Sequence, residues 1–274
     1  MTRAVERSFA VRWRDFSLGR YRRHLRRLTL LAALVVLAAW RAEVNMHDLI
    51  TGLGRGLSMV GLFLPPKWDA FPEMIEPAFV TVLIAATATP IGALCSILFG
   101  LAASRNIAPA WLRAATRTAI ALERGIPEIV ILLILVAAFG IGPFSGVVAL
   151  VIGSIGMLGK LVGDAIEEID PRTVESVACT GASRAQIIRY AMLPEVLPSL
   201  LANSMFRFEV NIRASVLLGA VGAGGIGYEL STAMSQVEYN KAATAALVSF
   251  ALVMAAERAS DHLRSKVLSR GQLA

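Results

Sequence analysis

Charged residues, cysteines and histidines are scarce in this sequence. Only 17% of its 274 residues are charged, whereas ordinary soluble domains carry roughly 25%. The two cysteines lie apart, Cys95 in an apolar run and Cys179 in a polar segment, and the three histidines are scattered. A disulfide scaffold is therefore excluded, and we expect no metal site and no catalytic residues of the Ser-His-Asp or paired-carboxylate kind. The phosphate-binding loop of ATPases is also missing from the sequence.

Long apolar runs are what the chain has in abundance. Hydrophobic residues make up 56% of it, and several runs are too long and too uniform for amphipathic packing. We therefore predict an all-α polytopic membrane protein with about six transmembrane helices, and an interfacial helix and loop near residues 51–64. The predicted spans lie near residues 28–40, 77–104, 126–140, 146–163, 195–218 and 242–256.

The distribution of basic residues predicts the orientation of these helices. With both termini cytoplasmic, 21 of the 27 Lys and Arg residues lie on the cytoplasmic side, 4 lie outside and 2 lie within a span. This split is typical of membrane proteins, and it accounts for the net charge of +7 without a nucleic-acid partner. The chain then divides into a basic cytoplasmic segment (1–27), a first transmembrane helix with a periplasmic segment (28–74), a membrane core (75–257) and a cytoplasmic tail (258–274).

The largest internal polar segment, residues 164–194, predicts a pair of short helices. Asp170 followed by Pro171 is typical of a helix start. Gly181 can end that helix in the left-handed conformation, and Ser183 can cap a second one. Two interpretations stay open on these grounds. The pair either fits the groove of a partner or is a solvated loop that rests on lipid headgroups.

Four polar residues lie inside the fifth predicted span: Arg207, Glu209, Asn211 and Arg213. Charges inside a span are costly and usually face a cavity or a partner. Glu209 and Arg213 are spaced to pair on one helix face. That pairing leaves Arg207, or part of Arg213, to bind an oxyanion in a translocation pathway, since a guanidinium fork fits phosphoryl oxygens. The alternative is a salt-bridge and hydrogen-bond cluster that holds helices together.

Glycines and one carboxylate mark further places of interest. Gly222, Gly224 and Gly225 belong to a G-x-G-x-x-G stretch without a βαβ unit around it, so we reject a dinucleotide site and predict a re-entrant turn or external gate. Glu128, at the start of the third span, is either a carboxylate at headgroup level or a contact of the polar segment. Small residues on one face of the fourth span allow close helix approach: Gly153, Gly156, Gly159 and Gly163.

The polar segment also carries a spaced pattern. Glu175-Ser176-Val177 is followed by Gly181, Ala191 and Leu193-Pro194. This spacing resembles the Glu-Ala-Ala, Gly, Ile-x-Leu-Pro loop of ABC importer permeases, with small or apolar replacements at three positions. Five further stretches narrow the likeness to phosphonate importer permeases over about residues 75–257: Arg124–Glu128, Gly140–Gly146, Gly159–Asp170, Arg207–Arg213 and Gly219–Gly227.

The resemblance implies a type I ABC importer core, similar to that of methionine importers, in a transporter subunit that is not an enzyme. In that family the loop forms coupling helices that dock on an ATPase, and the matching positions are Glu175, Ala178, Gly181, Ala182, Leu193 and Pro194. The resemblance further implies a cytoplasmic ATPase dimer that holds the ATP and Mg²⁺, a periplasmic binding protein, and a second permease copy in the bacterial inner membrane. The cargo would be phosphonate, phosphite or hypophosphite. A permease for methionine or another small solute, a membrane enzyme acting on lipid phosphates and a non-transporting scaffold stay as alternatives.

Overall fold

The computed structural model describes residues 18–43 and 45–271, and it divides between Gly61 and Leu62 into two units. The first unit contains α1 (Leu18–Arg41) and, except for its last residue, α2 (Met46–Leu62). Helix α1 begins well before residue 28, because the arginine-rich turns that precede the apolar run are helical too. The rest of the predicted basic segment, residues 1–17, lies outside the described residues.

The second unit is a helical bundle, and its described part contains no strand. A 3₁₀ turn (Trp68–Ala70) leads into α3, and π-helical turns lie before and after α9, at Ile188–Met192 and Gly219–Ala223. Its helices are α3 (Phe71–Ala103), α4 (Ala110–Gly125), α5 (Glu128–Phe139), α6 (Pro143–Glu168), α7 (Pro171–Ala178), α8 (Arg184–Ile187), α9 (Leu193–Leu218), α10 (Ile226–Ser235) and α11 (Tyr239–Gly271).

Helices α3 and α6 form the centre of this bundle. They approach closely because glycines meet small partners along the contact: Gly92 faces Ser154, and Gly163 faces the backbone of Gly100. The four glycines predicted to share one face of α6 are all buried. Around this pair, Ile84, Leu132, Leu150 and Leu218 from four different helices build the main apolar core: α3, α5, α6 and α9.

Three helices in the described part of the chain are long and apolar enough to cross a membrane: Trp68–Ala103, Pro143–Glu168 and Tyr239–Ser265. A fourth crossing arises if Arg184–Ala223 and Ile226–Ser235, which are bent by 52°, form one broken span. The predicted all-α polytopic class is confirmed. Two of the six predicted spans fall short by themselves, because α5 has 12 residues and α1 has a similarly short apolar stretch, and each covers about 20 Å of a bilayer core about 30 Å thick.

Helices α4 and α5 run one after the other along α6 in the opposite direction. Ile120 of α4 lies beside Gly159, and Glu128 at the start of α5 lies beside Gly153. The helix is interrupted between them at Ile126-Pro127, because a proline disfavours helical geometry at the residue that precedes it. The third predicted span, residues 126–140, therefore corresponds to α5 alone, and α4 and α5 together form a two-segment path along α6. The basic stretch of residues 105–124 is mostly helix α4, packed on α6.

Candidate functional site

The polar segment folds as the predicted pair of short helices. Asp170 caps α7, because its Oδ1 accepts a hydrogen bond of 2.9 Å from the backbone N–H of Arg172. Gly181 has a φ of +78°, in the left-handed region that favours glycine at the end of a helix. At the start of α8, the backbone N–H of Ser183 donates to Gln186 Oε1 at 2.8 Å. Contacts between residues no more than three positions apart thus define the ends of the two short helices.

One face of this loop packs on its own chain and the other face is exposed. Val174, Ile187 and Ile188 contact a buried apolar cluster that includes Ile166 and Met192. The apolar side of this loop therefore packs mainly on its own chain. The positions that resemble the coupling motif lie at or near the surface: Glu175, Ala178, Gly181 and Pro194 are exposed, while Ala182 and Leu193 are half-buried.

A cleft of about 570 Å³ lies between this loop and the connection from α3 to α4. Residues 106–109 line one wall, and Arg184 and Ile187 line the other. Glu167 at the end of α6 fixes the connection, because it accepts hydrogen bonds from the Arg105 backbone N–H (2.6 Å) and from Arg117 Nη2 (2.5 Å). The loop and α4 are therefore attached to the same end of α6.

Arg207 is buried, with 5% of its surface exposed, and it links three helices. Its Nη2 donates to Glu128 Oε1 on α5 at 2.7 Å, and its Nε donates to Ser154 Oγ on α6 at 3.0 Å. One turn along α9, Asn211 Nδ2 donates to Ser154 Oγ at 3.1 Å and to Thr89 Oγ1 on α3 at 3.0 Å. Arg207 and Asn211 thus form a salt-bridge and hydrogen-bond cluster between helices, the arrangement given above as the alternative to an oxyanion site. Glu128 has a partner that neither of its two interpretations anticipated.

Glycine on α6 makes room for these charges. A Cβ at Gly153 would lie 2.5 Å from Glu128 Oε1 and 2.7 Å from Arg207 Nη2. A Cβ at Gly156 would collide with the carboxylate of Glu123. The small face of α6 thus admits a charged cluster at these two positions as well as a neighbouring helix.

Glu209 and Arg213 form the predicted pair on a different face of α9. Arg213 Nη2 lies 2.9 Å from Glu209 Oε1. The Glu209 side chain is 12% exposed, whereas the Arg213 side chain is 59% exposed. The four polar residues of this span therefore separate into a buried pair, Arg207 and Asn211, and a pair that reaches the surface of the chain.

The glycine-rich stretch breaks the helix after α9. Gly222, Gly224 and Gly225 have φ values of +121°, +80° and +72°, which other residues rarely adopt. The turn is held by hydrogen bonds of 2.9 Å from the Gly142 N–H to the Gly222 carbonyl and from the Ile226 N–H to Thr81 Oγ1. The predicted break is present, in a geometry that suits a broken span or a re-entrant turn.

The arrangement can bind anions and transmit movement between helices. Arg213 presents a guanidinium, and the network around Arg207 joins α5, α6 and α9. Beside that network, Asn211 Oδ1 and Ser215 Oγ are buried without a hydrogen-bond partner. A water molecule there could donate to Asn211 Oδ1, and it could accept from or donate to Ser215 Oγ. Within residues 18–43 and 45–271, no group of three or more His, Cys, Asp or Glu side chains could hold a metal ion.

Comparisons with known proteins agree with this geometry. Residues 92–269 match the family described as binding-protein-dependent transport system inner membrane component. Phosphate-import permease protein PhnE of Mycolicibacterium smegmatis is 38% identical over 228 residues, which cover 82% of this chain but only 43% of that protein. Phosphite transport system permease protein PtxC of Stutzerimonas stutzeri is 34% identical over 253 residues, 92% of each chain. A chain of the MetNI methionine ABC transporter in an inward-facing conformation has a TM-score of 0.60 at 24% identity, over 71% of this chain and 95% of that one.

The family match covers the parts of the molecule that the geometry singled out. It spans α6, the polar loop, α9 and the glycine-rich break. The likeness to the methionine transporter concerns the fold alone: the bundle shares its helical fold with that transporter chain. Taken with the helices long enough to span a bilayer, the match over residues 92–269 shows that the chain belongs to the family of binding-protein-dependent transport system inner membrane components.

Proposed function

We propose that this chain is the permease subunit of an ATP-driven importer that carries a phosphorus oxyanion, namely phosphonate, phosphite or hypophosphite, into the cytoplasm. The observation that carries the proposal is the similarity to the phosphite permease of Stutzerimonas stutzeri, at 34% identity over 92% of both chains. The Mycolicibacterium relative, whose name gives phosphate as its cargo, supports the same chemical class. Phosphorus oxyanions share the charged P–O groups that a guanidinium binds well.

The partners follow from the loop geometry and from the family. The exposed face around Glu175 docks on a cytoplasmic ATPase, which binds the ATP and Mg²⁺ that this chain does not bind. One loop of this kind per permease implies two permease copies for two ATPase subunits, and a homodimer is the simplest assembly. A periplasmic binding protein delivers the cargo. Both termini are cytoplasmic, in accord with the excess of basic residues on that side.

The import cycle is one of alternating access. Closure of the ATPase dimer moves the loop, and the loop moves α9, which follows it directly through the turn Ile188–Met192. The buried cluster around Arg207 passes that movement to α5 and α6. The glycine-rich break, with Gly222, Gly224 and Gly225, forms the gate at the external end of α9.

Growth of a deletion strain on single phosphorus sources tests the cargo. The strain is grown on phosphate, alkylphosphonates, phosphite or hypophosphite, and uptake of each is measured directly. We expect a defect on at least one of the last three sources, restored by the intact gene. Normal uptake of all of them would contradict the proposal. Methionine uptake is measured in parallel as the comparison substrate, because the fold resembles that of a methionine transporter.

A further inference from the structure

One face of α9 is exposed or half-buried along its length, and it is not uniformly apolar. Its members recur at intervals of four and three residues, the spacing of a single helical stripe. This stripe, called the α9 stripe below, consists of Ser199, Asn203, Phe206, Val210, Arg213 and Leu217. Asn203 Nδ2 donates to Ser199 Oγ at 3.3 Å. Three of the six side chains are therefore polar, and one of them is charged.

The contrast with α3 shows that the α9 stripe does not suit lipid. Glu73 and Glu76 are exposed in the first two turns of α3, but beyond them its large exposed side chains are apolar: Phe79, Leu83, Ile91, Leu94 and Leu98. Arg213 lies on a helix that forms part of a membrane-crossing candidate, one to two turns before the helix ends at Leu218. A guanidinium that is 59% exposed there would be costly against hydrocarbon, so residues of this kind face water-filled cavities.

We propose that the α9 stripe lines the translocation pathway and that Arg213 is the side chain that binds the oxyanion as it passes. This inference rests on the proposed function. Glu209 binds the Arg213 guanidinium through Nη2. The other N–H groups of this exposed guanidinium stay available to donate hydrogen bonds to phosphoryl oxygens. Two permease copies bring two such guanidinium groups to one pathway.

The pairing with Glu209 gives the site a property that transport requires. A pathway site must bind its ion well enough to admit it and weakly enough to release it. The Glu209 carboxylate neutralises the formal charge of Arg213 and holds its side chain in place, while only 12% of its own side chain is exposed. Arg207 cannot play the same part, because it is buried and already bonded to Glu128 and Ser154.

Uptake by variants of the complete importer is the first half of the test. Importer with its ATPase and binding protein is reconstituted in vesicles, and phosphite and methylphosphonate uptake are measured for Arg213→Gln and Arg213→Lys. We expect Arg213→Gln to lower the uptake rate at least tenfold while the complex still assembles, and Arg213→Lys to retain part of the rate. Arg258→Gln, which removes another exposed arginine of the chain, is the matched control and should stay within twofold of the wild type.

Thiol labelling is the second half, and it does not depend on transport. Arg213→Cys is made in a chain whose two cysteines, Cys95 and Cys179, are replaced by alanine, and the importer is treated with an anionic water-soluble thiol reagent. We expect labelling that phosphite slows. Leu83→Cys is the control at a similar level of the bundle. Ala85, two residues after Leu83, packs with Ile212, the residue before Arg213. We expect Leu83→Cys to stay unlabelled.

The outcomes separate this inference from the proposed function. Wild-type importer that carries phosphite while Arg213→Gln carries it equally well, or Arg213→Cys that stays unlabelled, would overturn the role of Arg213 and leave the proposed function intact. Wild-type importer that carries none of the oxyanions would overturn both. Loss of assembly in Arg213→Gln would also overturn the inference, because Arg213 would then hold an interface.

Discussion

At the scale of single residues, the buried pair of Arg207 and Glu128 is the strongest constraint inside the bundle. The two side chains meet at 2.7 Å across 79 positions of sequence, and Ser154 takes a second hydrogen bond from the same guanidinium. Removing one partner leaves a charge that neither water nor protein fully satisfies. The pair therefore contributes to the stability of the fold. In the second pair of α9 the Arg213 guanidinium is largely exposed, so we expect that pair to contribute less.

Replacing Arg207 by methionine should lower the stability of the bundle markedly. Breaking a buried pair costs about 3–5 kcal/mol, and we expect a loss of about 3 kcal/mol because the Glu128 side chain is 30% exposed. The thermal unfolding midpoint in detergent measures it. Arg213→Met is the matched control, and its loss should be smaller than that of Arg207→Met, because the Arg213 side chain is 59% exposed. Equal losses in the two variants would show that burial does not distinguish them.

Local spacing predicted some of these residue contacts and could not predict others. Glu209 and Arg213 are one turn apart on a helix, so their pairing follows from helix geometry. The choice of Glu128 as the partner of Arg207 depends on how α5, α6 and α9 pack, which no local spacing encodes. A weak signal was present, since an unpaired arginine in a span needs a carboxylate on another span and Glu128 was the single charge between residues 125 and 159.

At the scale of elements, the short loop helices are defined by their ends. Replacing Asp170 by alanine removes the side-chain oxygen that accepts from the Arg172 N–H, and losses of this kind cost about 1 kcal/mol. We expect faster amide hydrogen exchange across α7 with no change in α6 or α9. Exchange measured by mass spectrometry on the assembled importer reports it. Unchanged exchange in α7 would mean that packing of Val174 alone holds the helix.

Small residues on α6 are a second requirement at this scale. Gly156→Val places a side chain where the Glu123 carboxylate lies, so either that carboxylate must leave its buried position or α4 must move away from α6. We expect a clear drop in the thermal unfolding midpoint and in the yield of folded protein. Gly52→Val on α2 is the control, because a Cβ at Gly52 meets nothing within 4 Å, and it should behave as the wild type. A stable Gly156→Val chain would show that Glu123 has another place to go.

The elements themselves were predictable to different degrees. Asp170, Gly181 and Ser183 act on their near neighbours, so the loop could be predicted in detail. The two-segment path of α4 and α5 could not be predicted. Ile126-Pro127 separates a basic helix, which taken alone is typical of a cytoplasmic connection, from an apolar helix, which taken alone is typical of a membrane span. Only their successive contacts with α6, at Gly159 and Gly153, show that they continue one another.

At the scale of the whole molecule, the exposed loop around Glu175 is the docking surface that we propose for the ATPase. Reversing a charge there, with Glu175→Arg, should abolish co-purification with the ATPase and lower substrate-stimulated ATP hydrolysis at least tenfold, while the permease still folds. Pull-down and hydrolysis assays on the full complex measure this. Asp261→Arg reverses another exposed acidic residue, on α11, and should leave both readouts unchanged. Normal ATPase binding by Glu175→Arg would place the docking surface elsewhere.

The interruption at Ile126-Pro127 has a mechanical consequence. On one side of it, α4 is bonded through Arg117 to Glu167 and to the carbonyl of Ala103. On the other side, Glu128, the first residue of α5, is bonded to Arg207 of α9. In the proposed cycle, a displacement that starts at the base of α9 reaches α5 directly through Arg207 but reaches α4 only by way of α6, so we expect the chain to bend at Ile126-Pro127.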